Sequence, residues 1–138
     1  RRQRQMCIRD RFILAATSNP GAATLQSASS NGQTVAKSVF EYAETYSVGE
    51  LGSVGIVYGA TVNSSTLDID LTKPSRVPVL VPGFGSQGAN LSQARSLMKA
   101  FSPVSICSVS RLVAGSSREG LASRLAAAKS ELEVGLRA

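Results

Sequence analysis

Residues 77–90 read VPVLVPGFGSQGAN: an apolar run Val77–Val81, a loop carrying Gly83, Gly85 and Gly88, then Asn90. A short apolar run without alternation is how a strand buried on both faces reads, as in a parallel sheet under helices. Asn90 can cap a helix in which Leu91, Ala94, Leu97, Met98 and Phe101 recur at a spacing of three to four. The stretch therefore predicts strand, glycine loop, helix.

Three more runs have the same character: Phe12–Ala16 (FILAA), Val54–Tyr58 (VGIVY) and Val104–Val109 (VSICSV). Helical periods lie between and after them. Thr34–Tyr46 puts Val35, Val39, Tyr42, Ala43 and Tyr46 on one stripe, and Leu121–Leu136 repeats the period through Leu121, Leu125, Ala128, Leu132 and Leu136. Its other face carries Arg124, Lys129, Glu131 and Glu133. Ser64–Ser75 has a weaker pattern, broken at Pro74, and reads as a short irregular helix. The order is β-α-β-(α)-β-α-β-α, which implies a parallel sheet with right-handed crossovers. Four such units make either a small doubly wound sheet or half of a (β/α)8 barrel. Periodicity alone does not separate the two.

Length and composition narrow the chemistry. The chain has 138 residues, too few for a complete (β/α)8 barrel of roughly 250. It contains neither His nor Trp, which excludes a Ser-His-Asp triad, a Cys-His dyad and a His-based metal site within it. The formal net charge is +6, with 15 Lys and Arg against 9 Asp and Glu. Residues 1–11, RRQRQMCIRDR, hold five Arg and one Asp, so most of the excess sits in one terminal segment. That segment has no apolar period and resembles translated adapter sequence. It is read as a non-native basic arm, with residues 12–138 as the folding unit. Of the two cysteines, Cys7 falls in the arm and Cys107 in an apolar run, where it reads as a small core hydrophobe. No run approaches the ~18 apolar residues of a membrane span. A soluble cytoplasmic protein is the expectation.

In parallel α/β folds ligands bind at the carboxyl ends of the strands. The segments that follow the four runs are Thr17-Ser18-Asn19-Pro20-Gly21-Ala22, Gly59-Ala60-Thr61, Pro82 to Gly88, and Ser110-Arg111. Gly83, Gly85 and Gly88 match G-x-G-x-x-G. A dinucleotide fingerprint, however, belongs to the first βα turn and needs an acid about 20 residues on, where Ser108 and Ser110 stand. Ala89 and Asn90 after Gly88 also exclude a phosphate loop of the G-K-[ST] kind. What survives is general: glycines let backbone N–H groups approach an anion, and Arg111 ends the next strand. Barrels hold phosphate on the loops after their seventh and eighth strands. If these are the last four strands of a barrel, the glycine loop and Arg111 fall there.

Taken in order, Thr17 to Ala22, Val57-Tyr58-Gly59-Ala60-Thr61, Val81-Pro82-Gly83-Phe84-Gly85-Ser86-Gln87-Gly88 and Val109-Ser110-Arg111 resemble the C-terminal half of orotidine 5'-phosphate decarboxylase, of the longer bacterial type. The resemblance covers residues 12–138. It implies strands five to eight of a (β/α)8 barrel. It also implies a family that converts orotidine 5'-phosphate to UMP and CO2 without metal or organic cofactor, as a homodimer. Ser18 then matches the serine that hydrogen-bonds the pyrimidine, Gln87 the glutamine reaching phosphate and base, and Arg111 the phosphate arginine. The backbone at Gly88 and Ser110 would add phosphate donors. Pro82 and Phe84 would lie near the pyrimidine. The family's D-x-K-x-x-D motif is absent, and Ala89 stands where a second Gly often follows Gln-Gly. No catalytic residue is assigned in this chain.

Two other readings remain beside that one. One is a different phosphate-binding α/β protein, such as an NADP-type nucleotide-binding domain. The other is a non-catalytic phosphate-binding module, or a nucleic-acid binder acting through the arm. The near-neutral body gives no support to a nucleic-acid or membrane partner.

Overall fold

A computed structural model describes residues 11–137; the basic arm, apart from Arg11, lies outside them. The elements are β1 (Arg11–Ala16), α1 (Ala22–Gln26), β2 (Ser29–Ser30), β3 (Gln33–Thr34), α2 (Val35–Glu44), β4 (Val54–Tyr58), β5 (Val79–Val81), α3 (Ala94–Met98), β6 (Ser105–Cys107), α4 (Arg111–Ala114) and α5 (Leu121–Arg137). Tight 3-10 turns cover Ser64–Thr66, Leu91–Gln93 and Lys99–Val104.

The long strands form one sheet in the order β1-β4-β5-β6, every pair parallel. Spatial order follows chain order without reversal. A doubly wound sheet needs a reversal, where its crevice forms; a barrel wall does not. The topology is thus four successive strands of a barrel wall with their helices.

Register divides the sheet into two faces. Ile13, Ile56, Val79 and Ser105 stand side by side on one, and Leu14, Val57, Leu80 and Ile106 on the other. The first face is the core: Ile56, Val77, Val79 and Val81 are fully buried with Met98 and Phe101. Burying each such side chain contributes about 1.5–3 kcal/mol. Phe40 of α2 stacks on Phe101, ring centroids 5.6 Å apart, and joins this layer to the 3-10 turn before β6. The second face is open. Leu14 is 56% and Ile106 51% exposed at the outer strands, while Val57 and Leu80 are half-buried between them. The expectation of strands buried on both faces therefore holds for one face only; no described element covers the other.

Several boundaries move for identifiable reasons. β1 begins at Arg11, whose N–H bonds Ser53 O, one residue before the apolar run. β5 is shorter than Val77–Val81, because Pro78 has no N–H; its carbonyl still accepts from Ile56. β6 keeps only Ser105–Cys107 of the run to Val109. Thr34 caps α2, accepting from the Lys37 N–H at 3.1 Å and donating to Leu67 O at 2.6 Å. The buried stripe of α2 runs through Ala36 and Ala43, while Tyr42 is exposed, with its hydroxyl on that of Tyr46. The pattern over Ser64–Ser75 reduces to one 3-10 turn, capped by Asn63. Asn90 makes no side-chain cap; a 3-10 turn intervenes before the five-residue α3. The hairpin β2–β3 lies outside the expected elements; Asn31-Gly32, at φ 55° and 82°, makes its turn.

The last helix also packs differently from its period. Ala128 and Gly135 are its buried residues, and Leu121, Leu125 and Leu136 are exposed. A Cβ at Gly135 would lie 2.6 Å from the carbonyl oxygen of Leu91, so the missing side chain is what lets the helix lie on that turn.

Gly55 shows the same principle inside the sheet. A Cβ there would meet Pro78 O at 2.5 Å and the Phe12 ring at 2.7 Å. Gly55→Ala should therefore destabilise the chain by about 2 kcal/mol or more, overpacking against backbone that cannot retreat. Ile56→Val should cost only about 0.5–1.5 kcal/mol. Urea denaturation of the two variants checks the order; equal stability would contradict the packing at Gly55.

Candidate functional site

Three backbone bonds lock the carboxyl ends of the strands together. Gly59 N–H donates to Ala16 O at 2.9 Å, Ala60 N–H to Pro82 O at 2.8 Å, and Ser108 N–H to Val81 O at 2.9 Å. Each joins one strand's exit to its neighbour's. The loops expected to carry chemistry therefore form one continuous rim.

The first loop is braced from below. Gln26, buried at the end of α1, accepts from the Thr17 N–H at 3.0 Å and donates to Thr17 Oγ1 at 3.2 Å. Ser18 projects beyond this clamp, exposed, with its hydroxyl making no hydrogen bond to any described residue. Sequence reasoning missed Gln26; a glutamine in AATLQS carries no local signal of a contact nine residues back.

The glycine loop closes on itself. Gly85 N–H donates to Ala89 O at 2.7 Å, Gly88 N–H to Gly85 O at 2.9 Å, and Ala89 N–H to Gly83 O at 3.3 Å. Gly83, Gly85 and Gly88 have φ of 114°, 79° and 102°, a region that side chains resist. Gly88 N–H is thus engaged inside the loop rather than aimed outward. Gln87 is exposed overall, yet its Oε1 comes within 3.4 Å of where a Cβ on Gly83 would sit, and Ala60 N is equally near that point. Gln87 therefore curls over the meeting point of the second and third loops. Phe84 is buried beneath it, and Pro82 is half-buried.

Arg111 does not end a strand. It opens the one-turn α4, with Ser110 at the cap position and both residues exposed. The guanidinium has no ion pair or hydrogen bond with any described residue. The next residue, Leu112, packs on the glycine loop: a Cβ on Gly85 would lie 3.1 Å from Leu112 Cβ. So Gln87 and Arg111 are carried by parts that touch. Ser18 stands at the other end of the rim, because β1 and β6 are the outer strands. Three strand spacings separate them, roughly 14 Å in a flat sheet.

Titratable groups near the rim offer little acid–base chemistry. Burial pushes the Tyr58 phenol and the Cys107 thiol up from their ordinary values. A thiol so raised is the protonated, inert kind, which fits Cys107 as packing. Lys37, Lys73 and Lys129 lie in exposed pairs with Glu41, Asp70 and Glu133, at 4.0, 3.6 and 3.8 Å. Among the described residues, no group of three or more Cys, Asp or Glu could hold a metal ion, and no helix is long and apolar enough to cross a membrane.

No protein-family model matches the chain. Curated relatives do. Orotidine 5'-phosphate decarboxylase of Salinispora arenicola is 36% identical over 119 residues, 84% of this chain and 42% of that protein. Orotidine 5'-phosphate decarboxylase of Rhodopirellula baltica is 37% identical over 94 residues, 64% of this chain and 31% of that protein. Among solved structures, a Streptomyces avermitilis protein provisionally described as orotidine 5'-phosphate decarboxylase superposes with a TM-score of 0.77 at 31% identity. It covers 92% of this chain and 45% of its own. The chain is thus similar to orotidine 5'-phosphate decarboxylases, as the loop motifs implied, and spans less than half the length of these relatives.

Replacing Gln26 with Ala leaves the half-buried Thr17 N–H without its acceptor, a loss of about 1 kcal/mol. Hydrogen exchange should accelerate at Thr17 while β4 amides keep their protection; unchanged exchange at Thr17 would remove the brace.

Proposed function

We propose that this chain is the phosphate- and pyrimidine-binding half of an orotidine 5'-phosphate decarboxylase, a carboxy-lyase that releases CO2 and UMP. The observation that carries this reading is the rim itself. It offers a cation without a partner among the described residues, Arg111, on a turn packed against a glycine loop, and a likewise unpartnered hydroxyl, Ser18, at the far end. A nucleoside monophosphate has the same polarity, an anion at one end and a hydrogen-bonding base at the other.

In this reading Arg111 grips the phosphate, as arginine does through its planar fork of donors. Gln87 bridges phosphate and base from the glycine loop. Ser18 bonds the pyrimidine edge, and Ser110 N–H adds a donor beside Arg111. Gly88 serves by shaping the turn, since its own N–H is spent on Gly85 O.

Decarboxylation itself needs more. Loss of CO2 leaves an electron pair on a ring carbon, and a preorganised ammonium must face that carbon to lower the barrier. The lysines of the described residues lie on helices and connections, three of them paired with carboxylates. The isolated chain is therefore a binding half without turnover. Binding energy at the phosphate would act remotely, through closure of the loops around the base, in a longer polypeptide. That polypeptide would work as a homodimer in the cytoplasm. Its barrel half would begin at Arg11, which pairs in β1, rather than at residue 12, and residues 1–10 would be a segment foreign to it. Neither a nucleic acid nor a membrane is required.

Titration of the chain with UMP tests the reading. Arg111→Ala should sharply weaken UMP binding, and orotidine 5'-phosphate should stay unconsumed by the isolated chain. Catalytic turnover by the chain would overturn its role as a binding half, and UMP affinity unchanged in Arg111→Ala would overturn the phosphate assignment. The pH dependence has a definite sign. It follows the ligand's second phosphate ionisation, near pH ~6. Affinity should be full above that value and fall as the pH drops through it.

A further inference from the structure

A second arginine shapes the same corner of the rim without facing it. Arg124, in the first turns of α5, is half-buried and turned back onto the loop that leaves α4. Its Nε donates to Val113 O at 2.8 Å. One terminal nitrogen donates to Glu119 O at 2.7 Å, the other to Ala114 O at 2.9 Å and Ser117 O at 2.7 Å. Four of the five donors of a guanidinium are thereby used on backbone carbonyls. Two left-handed glycines make room for it. Gly115, at φ 61°, would place a Cβ 2.8 Å from Arg124 Cζ, and Gly120, at φ 72°, would place one 3.0 Å from a terminal nitrogen.

The geometry of α4 explains why this clamp matters. It has only four residues, closed by Ala114 N–H on Ser110 O and Gly115 N–H on Arg111 O. One turn of helix is not stable alone, because nucleation costs more than a single turn returns. The carbonyls at its end also lack intrahelical donors. Arg124 supplies those donors, with a positive charge where the helix dipole is negative. Leu112 on Gly85 fixes the other side. Arg111, the first residue of that turn, is held at its carbonyl by the Gly115 N–H, and its guanidinium makes no hydrogen bond with any described residue.

We propose that Arg124 is a positioning residue: by tying down the turn between Val113 and Glu119 it aims Arg111 at the phosphate of a nucleoside monophosphate. This rests on the reading of Arg111 as the phosphate cation. Lysine keeps the charge but offers no planar fork to reach four carbonyls, so Arg124→Lys separates the clamp from simple electrostatics.

The experiment is UMP titration of the full 138-residue chain, with circular dichroism as a control for folding. Arg124→Lys should weaken UMP binding roughly tenfold, the scale on which loss of a supporting hydrogen-bond partner weakens a site. Gly115→Ala displaces the guanidinium without altering it and should weaken binding in the same direction. It carries the test should Arg124→Lys not fold. In an Arg111→Gln background the Arg124→Lys change should cost nothing further, since a group acting through Arg111 has nothing left to aim. An additive loss in that background, or wild-type affinity in Arg124→Lys and Gly115→Ala, overturns the positioning role while leaving the phosphate assignment standing. UMP affinity that is the same in wild type and Arg111→Gln overturns the phosphate assignment itself, and the positioning role with it.

Discussion

The bond from Ala60 N–H to Pro82 O, at 2.8 Å, sits at the centre of the molecule's chemistry. It continues the β4–β5 ladder one step past the strands and brings the second and third loops into register. Gly59 on Ala16 O and Ser108 on Val81 O do the same on either side. Parallel pairing is what makes this possible, because it sends all four carboxyl ends to one edge. The glycine loop can then close internally and still lie against both neighbours, through Gly83 near Ala60 and Gly85 under Leu112. A slip of β5 by one residue would turn Val79 and Val81 out of the core and break the rim in the same movement.

The sheet's two faces show what a half-barrel can and cannot bury. The helical side is closed by small and aromatic residues, Ala36, Ala43, Met98 and Phe101 against Ile56 and Val79. The other side leaves Leu14 and Ile106 half exposed at the outer strands, less so Val57 and Leu80 between them. Exposure that rises toward both edges belongs to a wall meant to continue. Relatives of more than twice the matched length agree with that. Apolar strands on an open face are also why the sequence reads as buried on both sides. Apolar character records what a strand was selected to meet, whether or not the chain in hand carries it.

The four strands and the two long helices were legible because their signals are local and repeated. Val54–Tyr58 was read with its observed bounds, and α2 and α5 to within two residues at either end. The losses came where one residue outweighs a period. Pro78 removes a ladder donor, and Lys99, at φ 49°, ends α3 after five residues despite a longer apolar stripe. Of the candidate site, the loops that form the rim were legible from the order of strands and helices, while the roles proposed for Ser18, Gln87 and Arg111 come from the resemblance alone. Their supports were not. Gln26 at Thr17, Leu112 against the glycine loop and Arg124 at α4 act on backbone nine or more residues away. Contacts with distant backbone leave no mark in a sequence pattern.

Arg111 and Arg124 show why residue type alone is a poor guide to a binding site. Both were visible as cations on predicted or bordering elements. One is exposed and has no partner among the described residues; the other has given four donors to carbonyls and has little left for a ligand. A guanidinium satisfied in this way is held rigid, and its rigidity passes to whatever it holds. A free guanidinium on an unsupported four-residue helix would spend its binding energy on ordering itself. The corner therefore needs both, one arginine to be fixed and one to be aimed. On the proposed reading, a phosphate there would meet a cation whose backbone is already ordered by a second one, which is how a site can be exposed and still preorganised.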